Sequence, residues 1–168
     1  MTLPIKGTSI IKAFEDSGIQ SVVALPDIVT CDTVLWPLSS NPNFMFIPVC
    51  KEDEGVSICA SLSYCGQRAL LLIQHTGFLD SINAIRAIAV EYQLPVVMVV
   101  GLQGSDPDTH PNQSKSIGIR ALGPICDALE LRHAFITDEE SAISIVEMIE
   151  AAYENSSPCA IFVPNPPV

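Results

Sequence analysis

Apolar residues recur along this chain in two rhythms, one near 3.6 residues and one continuous, that take turns from end to end. Over 8–17, Ile10, Ile11, Ala13 and Phe14 fall at helical spacing, and Gly18 suits the C-cap. QSVVAL then reads as a short buried strand ending at Pro26. A second helix is expected over 29–39, with NPN as its turn. FMFIPV is the next strand, followed by a helix over 54–64. RALLLIQ is a continuous apolar strand whose end is marked by HTG. The run 79–92 predicts a strong helix with Ile82, Ile85, Ile88 and Ala89 on one face, and Pro95 divides it from the strand VVMVV.

The last third follows the same plan. A polar, turn-rich segment, GLQGSDPDTHPNQSKSIG, is long for a connection in a compact domain, a length often tied to function. A helix is expected over 119–129, then a strand near HAFI. Thr137 with Glu140 three residues on reads as a capping box for a final helix with Ala142, Ile145, Ile149 and Ala152 on one face. PCAIFV is the sixth strand. Six apolar strands alternating with helices predict an α/β fold, three layers α/β/α around a six-stranded parallel sheet, with 1–168 as one unit. No internal repeat, low-complexity tract or interdomain linker interrupts the pattern.

Composition narrows the function. Of 168 residues, 48% are apolar and 16% charged, a surplus that suits either a well-covered parallel sheet or a surface shared with a partner. No apolar run reaches the length of a membrane span. The net charge of −11 and the absence of a basic stripe argue against nucleic acid and anionic membranes as partners. MTLPIKGTS lacks the charged start and apolar core of a signal peptide. The six cysteines form no CxxC pair and read as reduced core thiols of a cytoplasmic protein, and no His–carboxylate spacing suggests a metal ligand.

Ligands of open parallel sheets bind beyond the carboxyl ends of the strands. Four groups fall at such ends: Pro26-Asp27, Glu52 to Gly55, Gln74 to Gly77, and the loop after Gly101. No nucleophile elbow, P-loop or GxGxxG accompanies them. Singly, each has an ordinary explanation. Acidic residues favour a helix's first turn, Asp27 suits a cap, and Gly77 suits a turn.

Their order carries more. LPD near residue 26, IPVCKEDEGVSICASLSYCG, ALLLIQHTGFLDSINAI and LPVVMVVGLQG together resemble the pyrimidine-binding domain of thiamine-diphosphate enzymes. The likeness covers about 6–163 and is nearest to sulfopyruvate decarboxylase alpha subunits and the N-terminal half of phosphonopyruvate decarboxylases. The resemblance implies that Glu54, with Gly55 after it and Tyr64 ten residues on, is the cofactor-activating glutamate. A carboxyl against N1′ of the aminopyrimidine favours the imino tautomer, whose nitrogen takes the proton from thiazolium C2. An apolar setting would raise that carboxyl's pKa towards the working range.

By the same resemblance, Asp27 faces substrate or a proton-transfer water as a second catalytic residue. Pro26, Gln74, Thr76 and Gly77 line the pyrimidine pocket. His75 stands where the family has asparagine, and His110 and Gln113 stand in place of its Pro-Gln-His; these three are the candidate substrate residues. Leu102-Gln103-Gly104 replaces a segment that carries arginine in the family, so the substrate's second anionic group has no assigned partner.

The family's diphosphate half, with its GDG-type motif and Mg2+, has no counterpart in these residues. The resemblance therefore implies a hetero-oligomer with a separate diphosphate-binding beta subunit, binding thiamine diphosphate between the two and decarboxylating a small 2-oxoacid to an aldehyde. The small residues Gly55, Ser57, Ala60 and Ser61 suit close helix packing across such an interface. Three alternatives stand beside it: a carboligating lyase, a non-catalytic regulatory or scaffold subunit, and a flavodoxin-like binding domain in which Glu54 is only a helix cap.

Overall fold

A computed structural model describes residues 3–168; Met1 and Thr2, the start of the N-terminal stretch discussed above, lie outside the described residues. The order is α1 (Gly7–Asp16), β1 (Ser21–Ala24), a π-helical turn (Cys31–Leu35) running into α2 (Trp36–Ser39), β2 (Met45–Pro48) and α3 (Glu52–Tyr64). β3 (Ala69–Gln74), α4 (His75–Asp80), α5 (Ile82–Ala84) with a π-helical continuation (Ile85–Val90), and β4 (Val97–Gly101) follow. A 3-10 turn (Pro111–Gln113), α6 (Ile117–Arg120), α7 (Leu122–Ala128), β5 (Arg132–Phe135), α8 (Ile143–Glu154) and β6 (Cys159–Val163) complete it.

All strand pairs are parallel, and the order across the sheet is β2-β1-β3-β4-β6-β5, as the alternating pattern implied. The central strands β1, β3, β4 and β6 are buried nearly throughout, which is why they read as unbroken apolar runs. One helical layer, with α1 and α8, packs on Val22, Leu70, Leu72 and Val97; the other, with α3 and the helices of 75–90, packs on Val23, Leu71, Ile73 and Met98. Alternate residues of each strand thus serve opposite layers.

Two expectations need correction. HTG does mark the end of β3, but the helix expected from Leu79 already begins at His75: His75, Thr76 and Gly77 form the first turn of α4, with Phe78 behind them fully buried against Phe162 and holding the segment helical. Nor is there a Thr137–Glu140 capping box. Ser141 Oγ accepts from the N–H of Thr137 and of Asp138, while the Ser141 N–H donates to Asp138 Oδ1 at 2.9 Å, and α8 starts only at Ile143. The short Asp138 side chain closes the same reciprocal pattern one residue later.

The cysteines divide. Cys59, Cys126 and Cys159 are buried thiols, but Cys50 and Cys65 are exposed and Cys31 is half-buried, so the core-thiol expectation holds for three of the six. Among the described residues no helix is long and apolar enough to cross a membrane, and no cluster of His, Cys, Asp and Glu is placed to hold a metal ion.

Candidate functional site

Parallel pairing in register brings the carboxyl ends of the strands to one edge, with Ala24 beside Leu72 and Pro48, and Gln74 beside Gly101 beside Val163. The four sequence candidates all leave the sheet here. They do not meet in one place, however, and they are held in different ways.

α3 begins two residues before its expected start, so Glu52, Asp53 and Glu54 all lie in the first turn, where exposed N–H groups favour negative charge. The helix turns its buried side, Gly55, Val56, Cys59 and Ala60, to the sheet. A β-carbon on Gly55 would strike Leu71 and come close to Val23, so the glycine lets α3 lie tightly over β3 and β1. Next to that buried side, Glu52 and Glu54 diverge. Glu52 is half-buried and packs into the space left by the missing β-carbon of Gly77 on α4. Glu54 is exposed, and among the described residues its Oε2 accepts only from the Cys50 N–H, at 3.3 Å.

The apolar setting expected around Glu54 is therefore not supplied by this chain. Its carboxylate is exposed, tied to the backbone just ahead of the helix by one long bond. Beside it, between α3 and the helices of 80–88, opens a cavity of about 540 Å3 that also reaches Lys51, Asp53 and Asp80. Lys51 Nζ lies 3.9 Å from Asp53 and 3.8 Å from Asp80, both exposed pairings of little strength.

Gln74 is the N-cap residue of α4, and its Nε2 donates to Thr76 Oγ1 at 3.0 Å on the open edge. Gly77 does permit a close approach, and the group that makes it is Glu52. Pro26 is exposed, whereas the neighbouring Asp27 is 1% exposed. Asp27 Oδ1 accepts from the N–H of Val29 at 2.7 Å and of Thr30 at 3.2 Å, and Oδ2 accepts from the Thr30 hydroxyl. Its carboxylate is thus engaged in shaping the chain after β1 and lies against Gly101.

His75 is also buried, 7% exposed, beside Gly101 and Gly118, and among the described residues its Nδ1 has no hydrogen-bond partner. Burial lowers its pKa from the ordinary histidine value, while the Gly101 backbone and the Asp27 charge pull the other way. The neutral ring sits beneath the edge rather than on it.

His110 and Gln113 are carried elsewhere. His110 Nδ1 accepts from the Asn112 N–H at 3.2 Å, and its ring meets Phe135 of β5 edge-on at 5.3 Å. Because β6 is inserted between β4 and β5, three strand spacings, roughly 14 Å, separate β3 from β5. Gln113 lines a polar cavity of about 300 Å3 with Thr109, Ser114 and Lys115. Glu54 lines the cavity between α3 and the helices of 80–88, Gln74 and Thr76 sit at the junction of β3 and α4, and His110 and Gln113 lie in the segment after β4. Missing from the sequence reading was Lys51, the cation in the cavity beside Glu54; its place directly before the acidic triplet was the available signal.

An all-parallel six-stranded sheet with helices on both faces defines a three-layer α/β domain. The 2-oxoglutarate:ferredoxin oxidoreductase from Magnetococcus marinus, solved with 2-oxoglutarate, coenzyme A and succinyl-CoA bound, superimposes with a TM-score of 0.72. That match covers 98% of this chain and 30% of the other, at 13% identity, and shows the fold.

Sequence takes the relation further. The chain is 29% identical over 152 residues to sulfopyruvate decarboxylase subunit alpha of Methanothermobacter thermautotrophicus, covering 89% of both. It is 32% identical over 96 residues to the same subunit of Methanococcus maripaludis, a stretch spanning 57% of each. Against sulfopyruvate decarboxylase of Methanosarcina acetivorans it is 29% identical over 158 residues, 37% of that protein's length. No family model matches. The chain is thus similar to sulfopyruvate decarboxylase alpha subunits, as the order of its motifs suggested.

Proposed function

We propose that this chain is the pyrimidine-binding alpha subunit of a thiamine-diphosphate-dependent 2-oxoacid decarboxylase. It works with a separate diphosphate-binding subunit that supplies the GDG-type motif and the Mg2+ ligands. Support comes from the relatives named as decarboxylase alpha subunits and from one observation: Glu54 presents an exposed, loosely held carboxylate at the sheet's carboxyl edge. An acceptor-only group tied by a single 3.3 Å bond exchanges that bond for a ring N–H at little cost.

These residues fit the pyrimidine half of the cofactor. Glu54 holds the proton at N1′, Gln74 and Thr76 offer amide and hydroxyl groups on the same edge, and Asp27 fixes the β1 exit without meeting the ligand. When bound, thiamine diphosphate supplies the carbon nucleophile that makes loss of CO2 from a 2-oxoacid feasible. A partner covering this edge gives Glu54 the apolar surrounding that this chain does not supply.

The test is Glu54→Gln in the complex reassembled with its partner subunit. Decarboxylation should fall by about 100-fold or more while the complex still forms. Unchanged turnover would leave the chain as a scaffold and overturn the proposal.

A further inference from the structure

The segment after β4 is long and polar, yet the chain holds it in place. Asn112 packs against Gly123 of α7, where a β-carbon would come within 3.0 Å of its Oδ1. The Arg120 guanidinium donates to the carbonyl of Ser114 at 2.6 Å and to that of Lys115 at 3.4 Å. Gly118, beside the His75 ring and Leu79, brings the returning chain against the start of α4. The cavity of about 300 Å3 already met at Gln113 lies in this segment, and Lys115 and Ser116 form part of its wall.

That wall is rich in donors. The Gln113 amide, the hydroxyls of Ser114 and Ser116 and the Lys115 ammonium contribute to it. The N–H groups of Gly104 and Lys115 find no acceptor among the described residues. Asp106 is the one carboxylate in the wall, and it is engaged. Its Oδ1 accepts from the Asp108 N–H at 3.0 Å and its Oδ2 from the Thr109 hydroxyl at 3.1 Å. Lys51 is shared between Asp53 and Asp80, and Arg120 is turned onto two carbonyls, whereas Lys115 makes no ion pair among the described residues.

We propose that this cavity takes the far end of the substrate, a second and singly charged oxyanion, with Lys115 as the residue that selects for its charge. The inference rests on the decarboxylase reading above, which brings a 2-oxoacid to this side of the sheet. Gly101 pairs in register with Gln74, so the segment that builds the cavity leaves the sheet one strand over from Gln74 and Thr76. One ammonium beside one carboxylate suits a single negative charge, such as a sulfonate or a carboxylate. A doubly charged phosphonate meets Asp106 with no second cation to offset it. The bonds from Arg120 fix the backbone that carries Lys115, so little ordering is left for the moment of binding.

The experiment is calorimetric titration of the complex reassembled with its partner subunit, using 3-sulfopropanoate, which has no oxo group and so keeps its carboxylate. Lys115→Gln should weaken binding by about tenfold or more, and Lys115→Arg, which keeps the charge, by about threefold or less. 3-Phosphonopropanoate should bind more weakly than the sulfo acid. In turnover, the preference for a sulfonate-tailed over a methyl-tailed 2-oxoacid should fall about tenfold in Lys115→Gln, through KM rather than kcat. An unaltered complex that does not bind the probe overturns the proposal, as does equal binding by Lys115→Gln. Binding that depends on Lys115, without loss of CO2 from any 2-oxoacid, upholds the anion site and removes the decarboxylase reading instead.

Discussion

Glu52 fills the space above Gly77 that a β-carbon would occupy, so the first turns of α3 and α4 are locked together by a carboxylate and a glycine. Two residues further on, Glu54 makes no such contact and stands free at the edge. One acidic triplet thus divides into a packing residue and a residue available to a ligand. Gly77→Ala should displace Glu52 and cost about 1–3 kcal/mol. Glu54→Gln should leave stability within about 0.5 kcal/mol. Urea unfolding of both variants beside the unaltered chain checks the contrast; equal losses would show that the triplet acts as one structural unit.

His75 supplies a pH dependence of known sign. Its pKa in the folded chain lies below the ordinary value of 6.5, chiefly through burial. Unfolding therefore takes up a proton once the pH falls below about 6.5, and stability present above that value is lost as the pH drops towards the folded pKa. In His75→Gln that contribution vanishes. Unfolding measured from pH 7.5 down to 5 should show a smaller loss in the variant than in the unaltered chain. A parallel decline in both would mean that the ring is not protected from protonation.

Thiol chemistry should separate the six cysteines into classes. Burial pushes Cys126 and Cys159 up to about 12 and raises Cys59 further, so none forms thiolate near neutral pH. Cys50 and Cys65 lie exposed. A thiol reagent at pH 8 should label these two rapidly and half-buried Cys31 more slowly. The other three should react only after denaturation, as read by peptide mass spectrometry; rapid labelling of Cys59 would mean that α3 opens from the sheet.

Much of the architecture was legible because it is written in local apolar rhythm. The buried strands LLLI and VMVV admit few other readings, and their alternation with helices gives the parallel sheet. The start of α4 at His75 was not legible because His, Thr and Gly are weak helix formers, and what keeps them helical is Phe78 meeting Phe162 far along the chain. The candidate edge was legible from the strand ends. The direction of each side chain was not: the burial of Asp27 rests on its bonds to Val29 and Thr30, and the Glu52–Gly77 contact joins two separate helices. The distance of His110 from Glu54 follows from the insertion of β6 between β4 and β5, which no local pattern announces.

That insertion also bears on how the chain reaches its folded state during synthesis. β4 has β3 on one side and only β6 on the other, and β5 pairs with β6 alone. Until residues 159–163 leave the ribosome, the valine-rich flank of β4 stays open and β5 has nowhere to bind. A nascent chain paused in that interval presents an unprotected apolar edge. It then depends on chaperones, or on rapid completion of its last strand, to escape aggregation.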